Sequence, residues 1–144
     1  MYEVLAQDQP AAFNQDLATS LNNLYVCLSE LGLHEEALVA IQRTVSMQEV
    51  FAQDRPAASN QMLAMSLYNL SRQYSQLNHH EDALETAERS LALYRELVKT
   101  RPLVFEPRFI QVLDQLSECF TALGHHDDAA EAREEADELR EFIF

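Results

Sequence analysis

Five histidines and two cysteines are the residues of this 144-residue chain whose chemistry could ligate a metal or attack a substrate. The histidines are His34, the pair His79–His80 and the pair His125–His126; the cysteines are Cys27 and Cys119. Two adjacent imidazoles could supply half of a zinc site, which needs its ligands about 2 Å from one ion. These groups, however, recur with a spacing of 46 residues, so the segments carrying them stack as separate layers. Packed helices lie about 10 Å apart, too far for one ion to bridge the layers neatly. A surface turn that tolerates histidine accounts for the pattern, and no metal is expected.

Cys27 and Cys119 stand two periods apart, on equivalent faces roughly 20 Å from one another by the same packing distance. A disulfide needs Cα atoms within about 7 Å, so two free thiols in a reducing compartment are expected. Neither has a basic setting that would activate it. The chain contains no Gly-rich phosphate loop, CxxC, HExxH or GxSxG. The reading is therefore a protein without enzymatic activity and without a cofactor.

What positions these residues is a set of helices. Hydrophobic residues make up 47% of the chain, and two glycines and four prolines are too few for a linker-rich or disordered segment. Ala, Leu, Glu and Gln dominate, all good helix formers. The formal net charge of −14 argues against nucleic acid and anionic membrane, which both require a basic face. No apolar run approaches the ~20 residues of a membrane span, and no signal segment opens the chain. A soluble, cytoplasmic protein is expected.

The stretches "LAQDQPAAFNQDLATSLNNL" (5–24) and "FAQDRPAASNQMLAMSLYNL" (51–70) show that the chain repeats. Residues 6–51 and 52–97 share 21 identities in 46 without a gap, against roughly three by chance. Pro10, Pro56 and Pro102 keep the same spacing, as do His34, His80 and His126. Each unit resolves into helices A and B. Helix A is expected to start near Asn14, Asn60 and Glu106, with asparagine as N-cap and Pro107 at the first helical position of the third copy. Its apolar stripe is Leu17, Leu21, Leu24, Leu28 and Leu31 in the first copy. Gly32, Asn78 and Gly124 suit the left-handed residue that closes a helix. Helix B then begins at "HEEAL", "HEDAL" and "HDDAA" and runs about 20 residues to the residue before the next proline.

Residues 1–9, "MYEVLAQDQ", match the tail of a helix B, so the chain reads as a piece of a longer array beginning mid-repeat. The third helix B, "AAEAREEADELREFIF", is polar all round, as a capping unit requires, with Leu139, Phe142 and Ile143 expected to fold back on the last layer. The division is one array over 1–144: a helix tail at 1–9, repeats at 10–55 and 56–101, and a terminal repeat at 102–144.

A period of 46 falls in the range of HEAT and armadillo arrays, above the 34 of the tetratricopeptide repeat (TPR), and HEAT-like packing is the alternative. Spacing inside the unit resembles TPR: large residues at Leu21, Leu24 and Leu28, Gly32 in the turn, Ala37, Ile41 and Thr44 beyond it. The "NNL" and "YNL" segments and the long helices look most like extended repeats of the kinesin-light-chain type. Tyr25 departs from the pattern, where the family has Gly or Ala and where Ser71 and Ser117 fit. The resemblance implies an all-α, right-handed superhelix (α-solenoid) of about three helix–turn–helix units.

It also implies a function. In TPR arrays the A helices line a concave groove that captures an extended or helical peptide. Carried across, the groove is Thr19, Asn22, Asn23, Val26 and Glu30; then Met65, Tyr68, Asn69, Arg72 and Gln76; then Gln111, Asp114, Gln115 and Glu118. Asn23 and Asn69 match the family's groove asparagines, with Gln115 as a stand-in, because an amide both donates and accepts; otherwise the amides only link neighbouring helices. With Arg72 the single base against Glu30, Asp114 and Glu118, a basic or neutral peptide is expected rather than a carboxylate. The protein reads as an interaction module, a fragment of a larger signalling or scaffold protein. The alternative is self-association through exposed array ends.

Overall fold

The computed structural model describes residues 10–54 and 56–143, with side-chain surroundings given for 16–53 and 60–142. Among the described residues six helices follow in order: α1 (Pro10–Glu30), α2 (His34–Asp54), α3 (Pro56–Gln76), α4 (His80–Thr100), α5 (Pro102–Ala122) and α6 (His126–Ile143). No strand occurs among the described residues. Each helix packs on its neighbours in sequence, and α3 also touches α5. The result is an α-solenoid of three helical hairpins, α1–α2, α3–α4 and α5–α6.

Helices α1, α3 and α5 begin four residues earlier than Asn14, Asn60 and Glu106, at the prolines themselves. The missing N–H of a proline at the first position is one that a helix start leaves unbonded anyway, and its fixed φ is already helical. One residue, Arg101, separates α4 from α5; it supplies no side-chain cap, and its carbonyl accepts from Val104 and Phe105 N–H at 3.1 Å. Pro107 therefore sits inside α5 and not at its start.

The A–B turns are the same structure written three times. Gly32, Asn78 and Gly124 have φ of 77°, 63° and 80°. The next residue donates back across the turn, Leu33 N–H to Leu28 O, His79 to Tyr74 and His125 to Phe120, at 2.8–2.9 Å. Gly32, Asn78 and Gly124 donate to Ser29, Ser75 and Thr121 at 3.0–3.1 Å. This pair of bonds is the Schellman closure, which an apolar contact between the residue after the turn and the helix it closes often accompanies. His79 and His125 provide that contact by stacking on Tyr74 and Phe120, centroids 6.0 and 6.1 Å apart. Acidic residues follow in the first turn of every B helix, where the helix dipole favours them.

Small residues bring the two helices of a hairpin together. Ala37, Ala83, Ala87 and Ala136 are fully buried. Ser71 donates to Ala83 O at 2.7 Å, Ser117 to Ala129 O at 3.0 Å, and Ser90 to Ala64 O at 2.7 Å. Tyr25, at the register of Ser71 and Ser117, is too large to do this and reaches instead into the next hairpin, donating to Asn69 O at 3.4 Å. Two apolar clusters form the core. One gathers Ile41, Val45, Leu63, Leu67 and Leu70 between α2 and α3; the other joins α4, α5 and α6 around Tyr94, Phe109, Leu113 and Ala136. Leu93 packs against both.

At the far end the expectation holds in part. Leu139 packs on the second cluster, but Phe142 is 91% exposed. The side chain of Ile143 lies outside the described set, and residues 1–9 lie outside the described residues altogether.

Candidate functional site

The helices α1, α3 and α5 are packed on several sides and share a stripe that reaches solvent in all three. Helical periodicity brings residues three and four apart to one face. On α1 that stripe holds Thr19, Asn23, Val26 and Glu30 exposed and Asn22 half-buried; on α3, Arg72 and Gln76 exposed with Met65, Tyr68 and Asn69 half-buried. On α5 it holds Gln111 and Glu118 exposed and Asp114 half-buried. Thirteen of the fourteen residues assigned to a groove from the sequence therefore reach the surface in a common register.

Gln115 does not. It is buried, and its Nε2 donates to Ser71 Oγ at 3.1 Å, Ser75 Oγ at 2.9 Å and Cys119 Sγ at 3.5 Å. Its amide links α5 to α3. The cause is length: at the register of Asn69, one more methylene lets the amide reach the serine hydroxyls of the neighbouring helix. Gln73 does similar work one layer earlier, its Nε2 lying 3.2 Å from both the backbone oxygen and Nδ1 of His34. Among the described residues no hydrogen bond engages the side-chain amides of Asn22, Asn23 or Asn69.

The charge on the stripe is mixed. Arg72 lies 5.8 Å from the ring centroid of Tyr68, a cation–π distance. Arg108, a turn before Gln111, donates to its Oε1 at 3.2 Å. Arg140 reaches over from α6 to pair with Asp114 while donating to Asp137 at 2.9 Å. The sequence reading missed both arginines. Arg108 shares a register with Asp16 and Met62, so neither earlier copy carries a cation that would have pointed to it. Arg140 comes from a different helix and left no local signal.

The residues with reactive side chains serve the scaffold. His79 and His125 lie 3.8 Å from Asp82 and Asp128 in matching i,i+3 pairs. Both cysteines are free, but their surroundings differ: Cys27 is exposed, whereas Cys119 is buried against Ser71, Ser75 and Gln115. Burial pushes the Cys119 thiol above its ordinary pKa, against the partial compensation of those hydrogen bonds, which keeps it protonated and unreactive. Among the described residues no group of three or more His, Cys, Asp or Glu is placed to hold a metal ion. No described helix is long and apolar enough to cross a membrane.

No family model and no curated protein matches the sequence. Among solved structures the chain is similar to BtubC (BKLC) from P. vanneervenii, with a TM-score of 0.78 and 20% identity over 99% of this chain and 55% of that one. It thus spans about half the length of that relative. Two structures of MamA align over 99% and 97% of this chain and 86% and 79% of theirs, at 18% and 19% identity. Their TM-scores of 0.45 and 0.42 are too low to support an argument. The first likeness shows the fold, an array of stacked α-helices.

Proposed function

We propose that this chain is a protein-interaction module that seats a peptide or helix of a partner along the exposed stripe of α1, α3 and α5, without enzymatic activity of its own. The observation that carries the reading is the in-register recurrence of Asn23 and Asn69, surface amides that no hydrogen bond engages among the described residues. An amide in that state can both donate to and accept from a ligand backbone. Tyr68, flanked by Arg72, adds an aromatic surface at the middle of the stripe.

With Asp114 held by Arg140, and Arg72 and Arg108 offsetting Glu30 and Glu118, a near-neutral peptide fits better than a strongly basic one. Nucleic acid and membrane surfaces remain poor partners for a chain of net charge −14. The 46-residue unit and 21-residue helices support kinship with extended repeats of the kinesin-light-chain type. Stacked helical hairpins and two unpaired thiols suit a scaffold or signalling component of the reducing cytoplasm.

Peptide-display selection against the protein tests this, repeated with Asn69→Ala, Tyr68→Ala and Gln115→Leu. Asn69→Ala and Tyr68→Ala should weaken selected binders by roughly tenfold, about 1.4 kcal/mol, and Asn69→Ala should do so with little change in thermal stability. Gln115→Leu should do the reverse, lowering stability by about 1–3 kcal/mol by stranding its serine partners while sparing affinity. Binders indifferent to both stripe substitutions would show that the stripe is not the site.

A further inference from the structure

Gln48, Tyr94 and Arg140 occupy one register of the B helices, 46 residues apart, and no two are alike. Tyr94 is buried in the cluster against which Tyr68 packs, and Tyr68 and Arg108 both act electrostatically on its phenol. The third hairpin keeps this arrangement with different chemistry. Asp114 stands in the register of Tyr68, and Arg140 of α6 pairs with it. An apolar contact between the helices of the second hairpin has become an ion pair in the third.

That ion pair decides the charge a ligand meets at this end of the stripe. The side chains of Arg140 and Asp114 are 39% and 41% exposed, so both stay within a ligand's reach. Glu118 follows Asp114 by one turn of the same helix, a spacing at which like charges repel. No other cation pairs with Asp114 among the described residues. Arg108, the only base of α5, is engaged with Gln111 Oε1. Arg140 has five N–H donors; one goes to Asp114 and one to Asp137, and the others can bond a ligand carbonyl. With Arg140 in place the third hairpin offers a neutral pair and spare donors, which suit peptide backbone and uncharged side chains. Without it, Asp114 and Glu118 make a two-carboxylate patch that favours lysine or arginine.

We infer, on the reading that the stripe seats a peptide, that Arg140 is a specificity-determining residue. It holds Asp114 so that the third hairpin accepts an uncharged segment and discriminates against a basic one.

Selections from a random peptide library displayed on phage test it, run in parallel on the parent, Arg140→Gln, Arg140→Lys and Arg140→Gln/Asp114→Asn. Asn69→Ala serves as the control for the site. Peptides selected on Arg140→Gln should carry Lys or Arg at a position where those from the parent are uncharged. For a parent-selected peptide and its lysine-substituted form, the affinity ratio should move several-fold toward lysine in Arg140→Gln. That shift should shrink on added salt. Arg140→Lys should keep the parent's preference and the double variant should return to it, because neither leaves an unpaired carboxylate at position 114. A merely structural role would weaken every peptide alike and would not be reversed by removing the carboxylate. Asp114→Asn alone gives the mirror test, valid even where Arg140→Gln does not fold: with Arg140 released, the same position should turn to Asp or Glu. Binders that need Asn69 but show one charge preference on every variant overturn the inference and leave the stripe as the site. Binders indifferent to Asn69→Ala, or a folded parent that selects none, overturn the site and the inference together.

Discussion

Arg95 holds the carboxylate of Glu135 through two hydrogen bonds, 2.8 and 2.9 Å, joining the second and third B helices. One layer earlier Arg89 donates to Glu49 at 2.7 Å, joining the first and second. Arg89 and Glu135 occupy one register of the repeat and Glu49 and Arg95 the other, so the same inter-layer rung is built twice with its charges exchanged. The rung is a property of the stacking geometry, and either polarity satisfies it.

That equivalence is testable by charge reversal. Arg95→Glu sets two carboxylates against each other and should lower stability by about 1 kcal/mol, the scale of a partly exposed pair. Arg95→Glu/Glu135→Arg should recover most of the loss in urea denaturation. Recovery will be incomplete, because Arg95 also lies 5.1 Å from the ring centroid of Phe109 and a glutamate cannot replace that contact. A double variant no more stable than the single would show that the rung is not interchangeable.

The turn residues allow a cleaner separation of causes. A Cβ added at Gly32 or Gly124 would meet nothing within 4 Å, so any cost of Gly→Ala there is backbone strain at positive φ and not a clash. Each substitution should lower stability by about 1 kcal/mol. Asn78→Gly should change it by less than about 0.5 kcal/mol, since relief of left-handed strain is offset by the greater freedom of glycine in the unfolded chain. Thermal unfolding of the three variants checks the ordering, and a Gly124→Ala protein as stable as the parent would refute the strain argument.

Tyr94 makes stability sensitive to alkali. Burial, aided slightly by Tyr68 and opposed by Arg108, pushes its phenol up to about 12 from the ordinary 10.0. Below 10.0 the phenol is neutral in both states and the contribution is fully present; above it the unfolded chain loses its proton first. Stability should therefore fall as pH rises from 10.0 toward about 12, by on the order of 2 kcal/mol from this residue. Tyr94→Phe should flatten the decline but not abolish it, because burial also raises the pKa of Tyr25. An identical pH profile in Tyr94→Phe would exclude this assignment.

The linear order of residues was enough to read the period, the pairing of helices, the left-handed positions Gly32, Asn78 and Gly124, and the register of the stripe through Asn23 and Asn69. All of these are local: they follow from propensity, from turn chemistry and from the spacing of apolar residues along one helix. The starts of α1, α3 and α5 were misplaced, because asparagine and proline both signal a helix start and only the backbone discriminates between them. How identical registers are used became visible only in the stacked layers. Leu24 is exposed and Leu70 buried, Cys27 is open and Cys119 enclosed, and Gln115 ties helices together where the half-buried Asn69 keeps its amide unengaged among the described residues. Arg140 finds Asp114 on the neighbouring helix. A repeat gives every copy the same local pattern, but what covers each side chain depends on the layer beside it, which the copy does not encode.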